Sequence, residues 1–341
     1  MNGRLRSNCT SELLAAAVGS CLALASLPAS AQSTATRIAE DRVEEVVVTA
    51  ERAPRVAGLI QPERATKSRS SVGAEYLATQ LAGQTVVQSL NLLPGVSFTN
   101  TDPYGSSGGN LRMRSFDGPR ISLMLDGMQL NDSGNYAIYT NQQVDPEIIE
   151  RTTVNLGTTD VDSPTASATG GTINIITQRP LDTARLQLQP SIGSHDYRRM
   201  FTRLDTGAFG PWNTTAYVAA SFQEYDKYKG PGDLEKTQLN ARIHQDLGNG
   251  DFVSLSVHAN RNRNNFYRNL SKAQIAENGW DFDNDPTCTR LPAAAGSAQN
   301  EGDAEVSCTN YHGLRINPSN TGNIRGQASF GLSDALRLTI D

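Results

Sequence analysis

The apolar positions between Thr85 and Pro180 change their period more than once. Val86, Val87, Leu90 and Leu93 fall at helical spacing behind Thr85, a residue of the N-cap type, and Pro94-Gly95 stops the run. Leu111 and Met113, then Ile121, Leu123 and Leu125, alternate with polar or small residues as half-buried strands do. Asp126-Gly127 supplies a hairpin turn between Leu125 and Met128, and Gly171-Thr-Ile-Asn-Ile-Ile-Thr177 reads as one more strand. The pattern predicts a small α+β domain with glycine-containing loops over residues 72–180.

Beyond Pro180 a single period of two takes over. Leu239, Ala241 and Ile243 alternate with Gln238, Asn240, Arg242 and His244; Val253, Leu255, Val257 and Ala259 alternate with Ser254, Ser256, His258 and Asn260. These mark strands at Gln238–Leu247 and Asp251–Arg261, and weaker alternation marks Ala184–Gly193, Tyr197–Thr206, Asn213–Gln223, Gly322–Leu332 and Leu336–Asp341. Most come near the roughly 9–11 residues that a tilted membrane strand needs. A soluble sandwich or solenoid would show the same period, but the connections discriminate. Gly207–Trp212, Gly248–Gly250 and Ser333–Asp334 are short, whereas Tyr225–Lys236 and a stretch of about 262–321 are long, as in outer-membrane barrels. Ser194–Asp196 breaks the trend. No internal apolar run reaches the length of a membrane helix, which excludes helical crossing and leaves strands open.

Residues 1–31 combine Arg4 and Arg6, an apolar run from Leu13 to Leu27 and the small-residue pattern Ala29-Ser-Ala31, the plan of a secretory signal peptide. Cys21 lies within the apolar run and matches a lipidation site poorly. Residues 32–71 hold too few large apolar side chains for a core and read as flexible. One island interrupts them. Glu44-Glu-Val-Val-Val-Thr-Ala-Glu-Arg52 is a short β-prone run, suited either to adding a strand to a partner's sheet edge or to an edge strand of the following domain.

Five pieces in fixed order carry a family resemblance: Leu92-Leu-Pro-Gly-Val96, Met113-Arg-Ser-Phe116, Leu123-Met-Leu-Asp-Gly127, Ile148-Ile-Glu-Arg-Thr-Thr-Val154 and Gly170-Gly-Thr-Ile-Asn-Ile-Ile-Thr-Gln-Arg-Pro180. Together they resemble the plug signatures of TonB-dependent outer-membrane receptors. Ser115, where the family usually has Gly, and Asn155-Leu-Gly157, for the usual Arg-Gly-Pro, depart from the pattern. The resemblance implies a plug followed by antiparallel strands of a transmembrane β-barrel. About 22 strands are expected for a barrel of this type, so the seven here imply that Asp341 is a truncation point. It also implies that Glu45, Val46, Val47, Val48, Thr49 and Ala50 form the TonB box, which pairs with a TonB-type energy-transducing protein. The short tail before the box leaves no room for a further signalling domain. Arg114, Glu150 and Arg151 are expected to pair with the barrel wall, or else to be solvated strand-end charges. Tyr104, Tyr136 and Tyr139 are candidate substrate contacts at the plug apex, with packing against the wall as the alternative. Arg199 and Arg203 face the lumen, where they attract anions or pair with plug carboxylates.

The net charge of −5 argues against nucleic acid as a partner. Without the signal peptide Cys288 and Cys308 are the only cysteines, both in the long loop. An oxidising compartment points to a disulfide there, worth about 3 kcal/mol in the chain-entropy model, with free thiols or a metal pair as alternatives. Asp281, Asp283 and Asp285 open like a calcium loop, but Pro286 and Pro292 stand where an EF-hand needs Gly and Glu, so the stretch reads as a solvated acidic loop. Gly105-Ser-Ser-Gly-Gly109 lacks the Lys-Ser/Thr and helix of a phosphate cradle. His195, His244, His258 and His312 belong to no paired metal motif or triad, and no catalytic residues, metal site or cofactor are expected. By the resemblance, the expected function is energy-coupled import across the outer membrane of a Gram-negative cell. An extracellular substrate such as an iron chelate, first of all a ferric siderophore, binds the plug apex and loops, and the barrel sits in outer-membrane lipid. Oligosaccharide or cobalamin transport, a passive porin or adhesin, and a periplasmic carbohydrate-active β-protein are the alternatives.

Overall fold

The computed structural model describes residues 60–61, 68–157, 159, 167–288, 308, 310–333 and 335–341. The expected signal peptide, the strand island at 44–52 and most of the stretch expected to be flexible lie outside the described residues; Arg69–Ser71, at the end of that stretch, instead begin a strand paired to the following domain.

The first domain runs β1 (Ile60–Gln61), β2 (Arg69–Gly73), α1 (Ala74–Leu77), α2 (Val86–Ser89), β3 (Val96–Asn100), β4 (Gly109–Met113), β5 (Phe116–Asp117), β6 (Ile121–Leu125), β7 (Met128–Gln129), β8 (Ile149–Leu156) and β9 (Gly171–Thr177). Two sheets result, in the orders β1-β2-β8-β9-β6-β7 and β3-β4-β5. Only β6 and β9 pair in parallel. Between the sheets and the two short helices lie Leu90, Met113, Leu123, Ile148, Ile149, Ile173 and Ile175, all fully buried. Burial of such side chains stabilises by about 1.5–3 kcal/mol each.

Three local expectations change in detail. The helix expected to run to Leu93 ends at Ser89 and tightens into a 3-10 turn over Leu90–Leu92, which delivers the chain to Pro94-Gly95. Thr85 holds the N-cap position, yet its buried hydroxyl has no partner among the described residues; its methyl lies against the backbone at Gly105. In β6 all five residues are buried rather than alternate ones, because the strand lies inside its sheet with both faces covered. The Asp126-Gly127 turn forms as expected, with φ of 49° and 90° and Leu125 opposite Met128. Ser115 adopts φ 72° in the turn between β4 and β5, a conformation that glycine enters at least cost.

The second sheet is β10 (Ala184–Ile192), β11 (Arg198–Thr206), β12 (Thr215–Asp226), β13 (Asp233–Gly248), β14 (Asp251–Asn265), β15 (Ile316–Ser333) and β16 (Leu336–Ile340), antiparallel and in sequence order. Within it β10 and β16 each have one neighbouring strand, so the sheet does not close on itself. Its polarity is inverted relative to a soluble sandwich: Leu239 is 46% exposed while Asn240 is 2%. Leu255 and Ser256 repeat the contrast one strand away, at 48% and 4%. The polar side is buried because the first domain packs against it, with Phe201, Tyr217 and Ala219 of the sheet joining that domain's core.

Strands β13, β14 and β15 extend past their expected ends, and the long connection contracts to residues 266–315, with α3 (Lys272–Asn278) inside it. In the extensions both faces are polar: Glu235 and Lys236, or Arg261 and Asn262, follow one another, so hydropathy carries no period there.

Candidate functional site

The first domain meets the strands along a polar seam with three stations, each built on a carboxylate that a loop places against the wall. At one end Asp102 organises its own turn. Its Oδ1 accepts hydrogen bonds from the backbone N–H of Tyr104 (2.9 Å) and Gly105 (2.7 Å), and Oδ2 from that of Ser107 (2.6 Å). Such side-chain capping of its own backbone is what makes Asp a turn residue. The hydroxyl of Tyr225 on β12 donates to the same carboxylate, so the turn is tied to the wall. Tyr104 then stacks on Tyr197 with ring centroids 3.8 Å apart, meets Tyr225 edge-on at 4.9 Å and donates from its hydroxyl to the Ser194 carbonyl at 3.0 Å.

Residues 141–147 form the middle station. Asn262 donates to the Asn141 carbonyl (3.4 Å), His258 Nε2 lies 3.2 Å from the Gln142 carbonyl, and Gln238 donates to the Gln143 carbonyl (2.6 Å). The chain then turns over Pro146 and presents two acids. Arg199 of β11 holds both, with Nη2 3.1 Å from Asp145 Oδ1 and Nη1 2.7 Å from Glu147 Oε1. Ser221 adds a hydrogen bond to Asp145 Oδ2 at 2.7 Å. None of these charged side chains is more than 11% exposed. Burial pushes the Glu147 carboxyl above the usual range, against the pull of the Arg199 guanidinium.

The third station is Asp126, from the hairpin turn. It accepts from the backbone N–H of Thr177 (2.8 Å), from its hydroxyl (2.7 Å) and from Arg325 of β15 (3.0 Å). Arg242 of β13 donates to the carbonyl and hydroxyl oxygens of Thr177, at 3.2 and 3.0 Å. A chain segment held inside a strand wall by polar side chains at three heights is a stopper.

The comparisons agree with that geometry. The family model for the TonB-dependent receptor plug domain matches residues 61–172. This segment is a TonB-dependent receptor plug.

The solved structures that share the fold include the pyoverdine outer membrane receptor FpvA from Pseudomonas aeruginosa, bound to pyoverdine, at 18% identity and a TM-score of 0.50 over 60% of this chain and 28% of that one. A second P. aeruginosa FpvA structure, with heterologous pyoverdines, gives 16% identity and a TM-score of 0.51 over 65% of this chain and 30% of that one. The FpvAI–pyocin S2 complex gives 17%, 0.51, 66% and 29%. The chain therefore spans less than a third of the length of these receptors. None of the curated proteins matches the sequence.

Several site expectations are revised by the seam. Tyr104 is not an open apical contact: it is 6% exposed and packs on the wall, because Tyr197 and Tyr225 offer it two ring faces. Tyr136 and Tyr139 stay exposed in the plug's loops. Arg114, Glu150 and Arg151 are exposed and form no ion pair with the seven strands among the described residues; Arg114 donates to Ser68 of the plug at 3.2 Å. The plug carboxylates that do join the wall are Asp102, through the Tyr225 hydroxyl, and Asp145, Glu147 and Asp126, through ion pairs, all in loops or turns. For Asp145 and Glu147 the one legible signal was an acidic pair around Pro146 in a polar loop; Asp126 was legible only as a turn residue. Of the inward arginines on β11, Arg199 pairs with the plug, while Arg203 pairs with Asp205 on its own strand at 2.8 Å.

Beyond the seam, the long connection is tied down by Asp283. This residue is not solvated: its carboxylate lies 2.5 Å from Lys227 Nζ and accepts from the Arg268 backbone N–H at 2.7 Å. Lys227 also covers the ring of Tyr267, and burial lowers its pKa against the pull of Asp283. With Asp283 thus engaged and Asp281 exposed, the described residues contain no cluster of three metal-ligating side chains. Cys288 and Cys308 are bonded as a disulfide, with their Cα atoms 5.4 Å apart.

Proposed function

We propose that this plug and its strands belong to an outer-membrane importer driven by a TonB-type partner, which binds a scarce extracellular solute, most naturally a ferric siderophore, and admits it to the periplasm. The observation that carries the reading is a family-matched plug held by polar bonds against the inner face of an inside-out strand wall. Such a plug blocks a passive pore, so passage requires it to move. Glu45–Ala50 supplies the strand that the partner pairs with and pulls. The siderophore assignment rests on analogy with the pyoverdine-bound receptor of the same fold. Exposed Tyr136 and Tyr139 are the proposed substrate contacts. Arg114, Glu150 and Arg151 are left for barrel strands other than these seven.

Proline at Val47 removes a backbone donor and blocks strand pairing. Val47→Pro in the full-length receptor is therefore expected to abolish uptake of its substrate by whole cells while surface binding persists. Unchanged uptake would sink the energy-coupled reading in favour of a passive pore or an adhesin.

The outward face of the wall is proposed to meet lipid. Leu255→Arg places a charge in the middle of that face and is expected to cost the barrel about 2–4 kcal/mol in a bilayer. Unfolding in vesicles across a guanidinium series measures it, and a loss below about 0.5 kcal/mol, as at an ordinary wetted surface, would place that face in water.

A further inference from the structure

The charges on the inner face of the wall are nearly all of one sign. Strand register sorts them into two rows. Arg199, Gln223, Lys236 and Asn262 stand side by side on β11 to β14 in one row. In the other, six residues and about 20 Å further along the strands, Arg185, Asp205, Tyr217, Arg242, Ser256 and Arg325 run from β10 to β15. Arg203, between the rows, is neutralised by Asp205. That pairing uses the only carboxylate within the inner rows, since Asp246 lies at the exposed end of β13. Arg185, Arg199, Lys236, Arg242 and Arg325 then have no carboxylate on the wall itself.

The plug supplies the opposite sign, but not one for one. Asp145 and Glu147 neutralise Arg199, and Asp126 neutralises Arg325. Lys236 is 8% exposed and makes no ion pair among the described residues. Arg242 bonds Thr177 and Ser254 but no carboxylate. Ion pairs that merely seat a plug would need neither of them. A buried cation without a carboxylate partner carries a desolvation cost that a neutral side chain would avoid. Arg242 also holds Thr177 of the plug, but when the plug gives way its acids leave with it and both cations stay on the strands.

We infer that the wall uncovered by the plug is an anion-conducting surface and that the imported solute crosses it as a net anion. The inference rests on the importer reading. Cations lining a low-dielectric passage concentrate anions within it and repel cations. Arg199 and Lys236 form the first station that such a solute meets below the Tyr104 cluster, and Arg242 with Arg325 the second. Cationic or neutral solutes gain nothing from either.

The test uses the full-length receptor in planar bilayers under a potassium chloride gradient, with urea raised until the plug releases and the pore conducts. The sign of the reversal potential is expected to show chloride preferred over potassium. Lys236→Gln with Arg242→Gln is expected to lower that preference several-fold. A pore that prefers potassium, or a selectivity that ignores the double substitution, overturns the anionic path while leaving the importer reading intact. Absence of urea-dependent conductance overturns the importer reading itself, and the anionic path falls with it.

Discussion

Arg199→Ala is expected to loosen the plug by about 3–5 kcal/mol, the usual cost of removing one partner from a buried ion pair. The size of the loss follows from what is left behind. Asp145 and Glu147 would remain beneath the strands with side chains 4% and 11% exposed, and only Ser221 would still donate to the first of them. Two like charges left without an ion-pair partner among the described residues resist being ionised together in so dry a place. Limited proteolysis of the plug across a urea series measures the loss as a lowered midpoint for plug release. Arg199→Met combined with Asp145→Asn and Glu147→Gln is expected to recover most of it, because neutral groups leave no charge stranded. A midpoint for Arg199→Ala within about 0.5 kcal/mol of the parent, typical of surface substitutions, would show that the pair does not hold the plug. The same series separates the roles of the two acids, since Asp145 has a second donor and, among the described residues, Glu147 has no side-chain donor but Arg199.

How much of this site could be read in advance depended on whether a residue sat in a periodic segment. The phase of Arg199 was legible because it shares the inward face with Arg203, and the alternation of Leu239 and Ile243 with Asn240 and Arg242 fixes which face is which. All seven strands announced themselves in this way, most clearly where one side is apolar. The extensions at Glu235–Lys236 and Arg261–Asn262 did not, since both sides are polar there. Asp145 and Glu147 sit in an aperiodic loop, 54 and 52 residues from their partner. No local pattern says which loop acid will meet which strand. Tyr104 was ambiguous for a related reason: an aromatic in a polar loop serves a ligand or a wall equally well until its neighbours are known. Asp283 misled because spacing described its chain neighbours and not Lys227, which arrives from another connection. The five motif pieces were more informative than any single residue, because order and spacing restrict the fold even where each piece is weak.

A second large loss is expected at Gly171, and it tests how the plug's own sheet supports the seam. Gly171 has φ of 123°, and a Cβ there would lie 2.0 Å from the Asn155 carbonyl oxygen and 2.9 Å from the Gly157 nitrogen. Both obstacles are backbone, so no rotamer change relieves them. The residue also starts β9 between two neighbouring strands, opposite Leu156 on β8 and Ile121 on β6. Gly171→Ala must therefore force open the ladder on one side or the other, in addition to about 1–3 kcal/mol of backbone strain. Gly127→Ala is the control: its φ is 90°, but a Cβ there meets nothing within 4 Å, so strain acts alone. Urea unfolding of the plug is expected to show a loss at Gly171 exceeding that at Gly127 by at least about 1 kcal/mol, the scale on which overpacking is felt. Equal losses would mean that the strands yield freely and that the close approach is unimportant. A larger loss at Gly171 has a consequence at the wall, because β9 ends in Thr177, which orients Asp126 toward Arg325 and accepts from Arg242. Displacing the start of this strand should then lower the urea needed to release the plug as well as the urea needed to unfold it.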